Sequence, residues 1–250
     1  MYNEIGGVER VIQLLTSGGL GDAAMSFAKA EALGIERKNY TICHAQLRED
    51  NLDAAIVQFY RTQGIGCEFK RIPMPNFSTN LPKYLDDWLL ENVKHYDHYL
   101  GTHWSVNNGS DMSSWEINPF PKVKYSKISD CRVLINPSSG GTQAANKSFI
   151  QHEIVDFIDK YPETVIIGKG KDKQYEGFSN SLYNKSDMRG LVDVIASSEV
   201  VISPEGFVAY FAAMCGKKVF CKNDNISAIQ NRKHPSWDMT LINSIKDIKI

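Results

Sequence analysis

No stretch of the 250-residue chain approaches the ~18 uninterrupted apolar residues that a membrane-spanning helix needs. Nor does either sign of charge dominate, with 28 Lys+Arg against 29 Asp+Glu. The first absence points to a water-soluble protein. The second removes the general attraction a phosphate polymer exerts on a basic partner. The opening residues, MYNEIGGVER, lack the basic-then-apolar order of a secretory signal, so a cytoplasmic location is expected. Cys43, Cys67, Cys131, Cys215 and Cys221 are odd in number and scattered, with no CxxC pair. Neither a disulfide framework nor a zinc site is expected of them, and they read as reduced, mostly buried thiols. The chain also lacks GxxxxGK[ST], HExxH and GxSxG motifs and any repeat at solenoid spacing.

What is present is an ordinary globular composition, 42% hydrophobic and 23% charged, in a length at the boundary between one large domain and two compact ones. Residues 1–125 hold 12 basic and 15 acidic side chains, and residues 126–250 hold 16 and 14. A mildly basic second half suits a phosphorylated small ligand.

Apolar β-type runs alternate with helical stretches. In the first half VIQLLTS (11–17), YTICHA (40–45) and GCEFKRI (66–72) read as strands. DAAMSFAKAEAL (22–33), NLDAAIVQFYRTQG (51–64) and LPKYLDDWLLENV (81–93) read as helices. Between about 101 and 128 the pattern fails in a polar, Asn-, Ser- and Pro-rich segment, where an interdomain connection is expected. It then restarts with strands at 131–137, 164–168, 199–204 and 217–222, helices at 147–161, 188–198 and 206–216, and a helical tail. Such alternation predicts an α/β fold of two Rossmann-like domains facing each other across a cleft, 1–125 and 126–250.

Three loops follow strands and can meet a ligand. TSGGLGDAAM (16–25) puts Gly18, Gly19, Gly21 and Asp22 where the first strand hands over to the first helix. It also satisfies the loose dinucleotide pattern GxGxxA. Yet the second strand ends in His44 and Ala45 rather than in the acidic residue a nicotinamide cofactor's ribose prefers. INPSSGGTQAANKSFI (135–150) combines Ser138, Ser139 and neighbouring glycines with Lys147 at an expected helix start, the elements of a diphosphate site. SPEGFVAYFAAMCG (203–216) opens an apolar helix with Glu205, placed to hold ribose hydroxyls, and Gly206, which lets a phosphate approach. HYDHYLGTHW (95–104) clusters His95, Asp97, His98 and His103, but its spacing fits no standard zinc motif. Acceptor contact is the alternative role for His103, as for His44.

With these loops in this order the chain resembles the ADP-heptose:lipopolysaccharide heptosyltransferase family, glycosyltransferases of the GT-B fold. Gly21-Asp22 matches that family's N-terminal Gly-Asp, INPSSGG…NKSF its second-domain phosphate loop, and TVIIGKGKD the next strand with its Gly-rich end at Gly168. Where the family's closing turn reads Asp-Thr-Gly with a histidine three residues later, this chain has Pro204-Glu205-Gly206 and Ala209, and it is shorter.

The resemblance implies an acceptor-side first domain and a donor-binding second domain. It implies an inverting transfer from a nucleotide-diphosphate sugar to an acceptor hydroxyl, with Asp22 as base. Gly21, Ser138, Ser139, Lys147, Gly168, Glu205 and Gly206 would bind the donor, His44 and His103 would face the acceptor, and no metal would be required. The acceptor would be a glycan, a lipid-linked sugar or another hydroxyl compound; a nucleic-acid acceptor fits the charge less well. Three other readings stay open: a nucleotide-sugar epimerase, an NAD(P)-dependent oxidoreductase, and a non-catalytic nucleotide-sugar-binding module.

Overall fold

The structure is a computed structural model that describes residues 10–46, 52–72, 81–101, 116–128, 131–138, 148–169, 173–223 and 233–250. The chain divides into two compact units, Met1–Gly109 and Ser110–Ile250.

In the first unit β1 (Ile12–Ser17), α1 (Leu20–Ala32), β2 (Tyr40–Gln46), α2 (Leu52–Thr62), β3 (Gly66–Arg71), α3 (Leu81–Asn92) and β4 (His98–Tyr99) follow in order. The sheet runs β3-β2-β1-β4 and every pairing is parallel. Leu14, Leu15, Thr16 and Ser17 are buried, as expected of a central strand covered on both faces. One core cluster joins Leu15 and Cys43 to Ile72, Leu85 and Leu89, seating α3 on the sheet. β4 lies inside the histidine-rich segment that sequence periodicity had left without a strand. Two residues are too few for an alternation signal, and its register, Leu14 opposite His98 and Leu15 opposite Tyr99, is set by β1.

The second unit contains β5 (Val133–Ile135), α4 (Gln151–Lys160), β6 (Val165–Ile166), α5 (Met188–Ser197), β7 (Val200–Pro204), α6 (Phe207–Met214), β8 (Lys218–Lys222) and β9 (Met239–Ile242). Its sheet, β6-β5-β7-β8-β9, is again wholly parallel. β7 and all eight residues of α6 are buried, which is what their unbroken apolar sequence requires. Asp187 starts α5 by accepting from the Gly190 N–H at 2.8 Å.

Residues 116–128, the described part of the 101–128 segment, lie in the second unit, and two other expectations are corrected by the structure. The Ser126 N–H donates to Asp193, the Ile128 N–H to the Ser197 hydroxyl, and the Trp237 indole to the Pro119 carbonyl. Its polar sequence is loop-like because α5 side chains, rather than a sheet, satisfy its backbone. The strand at 217–222 is not the last, since Met239–Ile242 adds β9 where a helical tail was expected. Four residues carry too little periodicity to distinguish the two. Lastly, α4 begins at Gln151 rather than 147, because the Phe149 N–H turns back to the Pro137 carbonyl at 3.1 Å.

Among the described residues no helix is long and apolar enough to cross a membrane.

Candidate active site

In each sheet the chain reverses its direction of travel next to the first strand, between β1 and β4 in one unit and between β5 and β7 in the other. The carboxyl ends of such strands are where open α/β sheets bind ligands.

At the end of β1, Gly18 has φ +109°, and Gly19 caps α1. A Cβ on Gly18 would lie 2.4 Å from Asp22 Oδ2, so no side chain fits at that position. Gly21 is the second residue of α1. Asp22 is half-buried and its carboxylate reaches back, Oδ2 accepting from the Gly19 N–H at 2.8 Å. A carboxylate in the first helical turn complements the positive end of the helix dipole. Below it the Ser26 hydroxyl donates to the Asp22 carbonyl at 2.8 Å and lies 2.5 Å from the Thr16 hydroxyl.

His44 sits opposite Thr16 in the neighbouring strand and is completely shielded from solvent. Its Nε2 is 2.9 Å from the Gly18 carbonyl oxygen and its Nδ1 3.3 Å from the Tyr60 hydroxyl, while its ring stacks on Phe69. Burial pulls its pKa down to about 4, against a smaller upward pull from the Gly18 carbonyl. The ring is therefore neutral. A carbonyl can only accept, so the proton is on Nε2, and Nδ1 accepts from Tyr60. This burial corrects the expectation that His44 meets an acceptor: the ring faces the underside of the Gly18 turn. On the far side of the strand reversal the Lys29 ammonium donates to the carbonyls of Leu100 and Gly101 at 2.5 and 2.8 Å. Burial lowers its pKa to about 8.

In the second unit Glu205 is only 5% exposed. Its Oε1 accepts from the Tyr210 hydroxyl at 2.6 Å and its Oε2 from the Asn223 amide at 2.8 Å, so α6 and the end of β8 fix the carboxylate. Gly206 caps α6, with open space where a Cβ would point. Asn136, just beyond β5, donates to the Ser203 hydroxyl at 3.2 Å and so bridges the two strands of the reversal. Ser138 is half-buried two residues further on. Gly168 has φ +133°, and a Cβ there would come within 2.8 Å of the Tyr183 ring and 2.9 Å of Asn136 Oδ1. Lys222, nearly buried, donates to the Ser148 carbonyl at 2.9 Å. Ser139, Lys147 and His103 lie outside the described residues.

The structure thus gathers Gly21 and Asp22 at one strand end, and Ser138, Gly168, Glu205 and Gly206 at the strand ends of the other unit. Asn136, Asn223 and Lys222 were not singled out from sequence, although each stands at or just past the end of a readable strand. Tyr60 and Tyr210 are on apolar helical stripes and read as core. Among the described residues no group of three His, Cys, Asp or Glu side chains could hold a metal ion. The cysteine thiols are all free, three of them buried, and burial raises the pKa of Cys67 to about 12 and of Cys131 to about 11.

No protein-family model matches the chain, and no curated protein matches its sequence. Solved structures do match. A glycosyl transferase family 9 protein from Veillonella parvula aligns with 95% of this chain and 86% of its own, at 11% identity and a TM-score of 0.56. The ADP-heptose LPS heptosyltransferase II of E. coli aligns with 93% of this chain and 90% of its own, at 11% identity and 0.53. An E. coli heptosyltransferase solved with ADP-2-deoxy-2-fluoro heptose gives 9% identity and 0.53 over 93% of this chain and 92% of its own. At such identities the likeness is one of fold, and it spans both units: the chain has the α/β fold, with two parallel Rossmann-like sheets, of these glycosyltransferases.

Proposed function

We propose that the protein is a glycosyltransferase that moves a sugar from a nucleotide-diphosphate sugar to an acceptor hydroxyl, with inversion at the anomeric carbon. The observation that carries this reading is Asp22: a partly exposed carboxylate, fixed by a backbone amide beyond the central strand of a sheet whose fold is that of heptosyltransferases. Asp22 would take the proton from the acceptor oxygen as that oxygen attacks the anomeric carbon and the bond to the nucleotide diphosphate breaks. In the second unit the amides opening α6 at Gly206, together with Ser138, Ser139 and Lys147, would stabilise the diphosphate that leaves. Gly168 would allow close approach of the donor, and Glu205, held by Tyr210 and Asn223, would accept from ribose hydroxyls. Cationic and dipolar groups neutralise the leaving group in this scheme, so it requires no metal, and EDTA is expected to leave turnover unchanged. His103 remains the acceptor contact proposed from sequence.

The test is a thermal-shift screen with NAD and with ADP-, UDP-, GDP-, CDP- and TDP-sugars, followed by product analysis with the stabilising donor. A ligand near 100 times its dissociation constant stabilises by about 2.7 kcal/mol. A glycosylated acceptor, or slow release of free sugar and nucleoside diphosphate, is the expected product. Free epimerised sugar nucleotide would make the chain an epimerase. Stabilisation by NAD alone would make it an oxidoreductase, and binding with no turnover a binding module.

A further inference from the structure

The Gly18–Gly19 peptide group is held at both ends. Its carbonyl accepts from His44 Nε2 at 2.9 Å, and its N–H donates to Asp22 Oδ2 at 2.8 Å. A trans peptide is planar, with C=O and N–H pointing in opposite directions. The orientation of the imidazole therefore sets the direction from which the amide meets the carboxylate. We propose that His44 is the positioning residue of Asp22, acting through this one peptide group. The inference rests on the reading of Asp22 as the base.

Three further observations support it. His44 has no other surface to serve, being wholly buried with Nδ1 against Tyr60 and its face on Phe69. A Cβ on residue 18 would lie 2.4 Å from Asp22 Oδ2, so glycine at this position is what leaves the carboxylate room to sit over the turn. The hydrogen bonds also run in one direction, Tyr60 O–H to Nδ1, Nε2–H to Gly18 O and Gly19 N–H to Asp22. In such a chain each bond polarises and strengthens the next. A ring held neutral by burial keeps this direction throughout the ordinary pH range.

The experiment follows the Gly19 amide proton by NMR in the ligand-free protein, because its shift titrates with the carboxylate it meets. In the wild type one step is expected, at the ionisation of Asp22. In His44→Leu and His44→Asn, neither of which can reach the Gly18 carbonyl, the midpoint should rise by about half a unit or more, since the charged form loses an aligned donor. His44→Gln, whose side-chain N–H stands near the place of Nε2–H, should return it towards the wild-type value. A merely structural histidine would change the melting temperature in all three and leave the midpoint alone. An unchanged midpoint in folded His44→Leu or His44→Asn overturns the proposal. If neither variant folds, the imidazole nitrogen spectrum of the wild type decides: the Nε2–H tautomer between pH 5 and 7 is required, and the Nδ1–H tautomer overturns it. Failure of the catalytic reading appears elsewhere, as undiminished transfer by Asp22→Asn with the Gly19 titration of the wild type intact.

Discussion

His44 and Asp22 hydrogen-bond to opposite ends of the Gly18–Gly19 peptide group, the imidazole to its carbonyl and the carboxylate to its amide. One residue is fully buried in β2 and the other partly exposed in α1, so a core side chain and a candidate base share a single rigid link.

The link depends on glycine at position 18. Gly18→Ala would combine a strained φ of +109° with a Cβ 2.4 Å from Asp22 Oδ2. It should cost about 1–3 kcal/mol in chemical denaturation, the usual size of such backbone strain. Gly19→Ala, at φ −86° with its nearest neighbour 3.8 Å away, should cost under about 1 kcal/mol. Equal losses at the two positions would mean that the Gly18 turn is not the constrained one.

Asp22→Asn separates capping from chemistry. The amide oxygen can still accept from the Gly19 N–H. The variant should therefore melt close to the wild type, and its donor-induced thermal shift should persist. A general base contributes about 10²–10⁴-fold in rate, and turnover should fall by that much. Near-normal transfer at saturating donor and acceptor would assign proton removal to another group.

The buried histidine makes stability pH-dependent with a definite sign. The native pKa of about 4 lies below the ordinary imidazole value of about 6.5, so in that interval the unfolded chain binds a proton that the native chain refuses. Stability from this residue is complete above 6.5 and is lost as pH falls towards 4, at no more than about 1.4 kcal/mol per pH unit. Urea midpoints at pH 7, 6 and 5 should drop more steeply in the wild type than in His44→Gln, which has no titrating ring. Parallel slopes would contradict a neutral, buried His44.

The Glu205 carboxylate should prove sensitive to its donors. Tyr210→Phe removes the hydroxyl 2.6 Å from Oε1 inside a nearly closed site, and Asn223→Ala removes the amide 2.8 Å from Oε2. Each should cost about 1–3 kcal/mol in equilibrium unfolding, the usual penalty for a buried acceptor left without its donor. Glu205→Gln combined with Tyr210→Phe should cost less than the sum of the single changes, because one interaction is counted twice. Additive losses would show that the two side chains act independently.

By itself the sequence determined the alternation of strands and helices, the parallel sheets, and the strand-end loops at Gly18–Asp22 and Pro204–Gly206. These follow from local facts: apolar runs too short for helices, glycine where a chain must turn sharply, and 3.6-residue periodicity in α1, α2 and α5. Only the tertiary structure decided the rest. β4 and β9 exist because long strands offer them unpaired edges, which two or four residues cannot announce on their own. Residues 116–128 belong to the second unit because side chains of α5, distant in sequence, satisfy their backbone. Whether His44 faces outward or lies beneath the glycine turn depends on strand order and register, since β2 pairs with β1 so that His44 stands opposite Thr16. Periodicity records which residues are apolar along one element. It carries no information on which neighbour that element will have, and the partners of His44, Asp22 and Glu205 are all fixed by that choice.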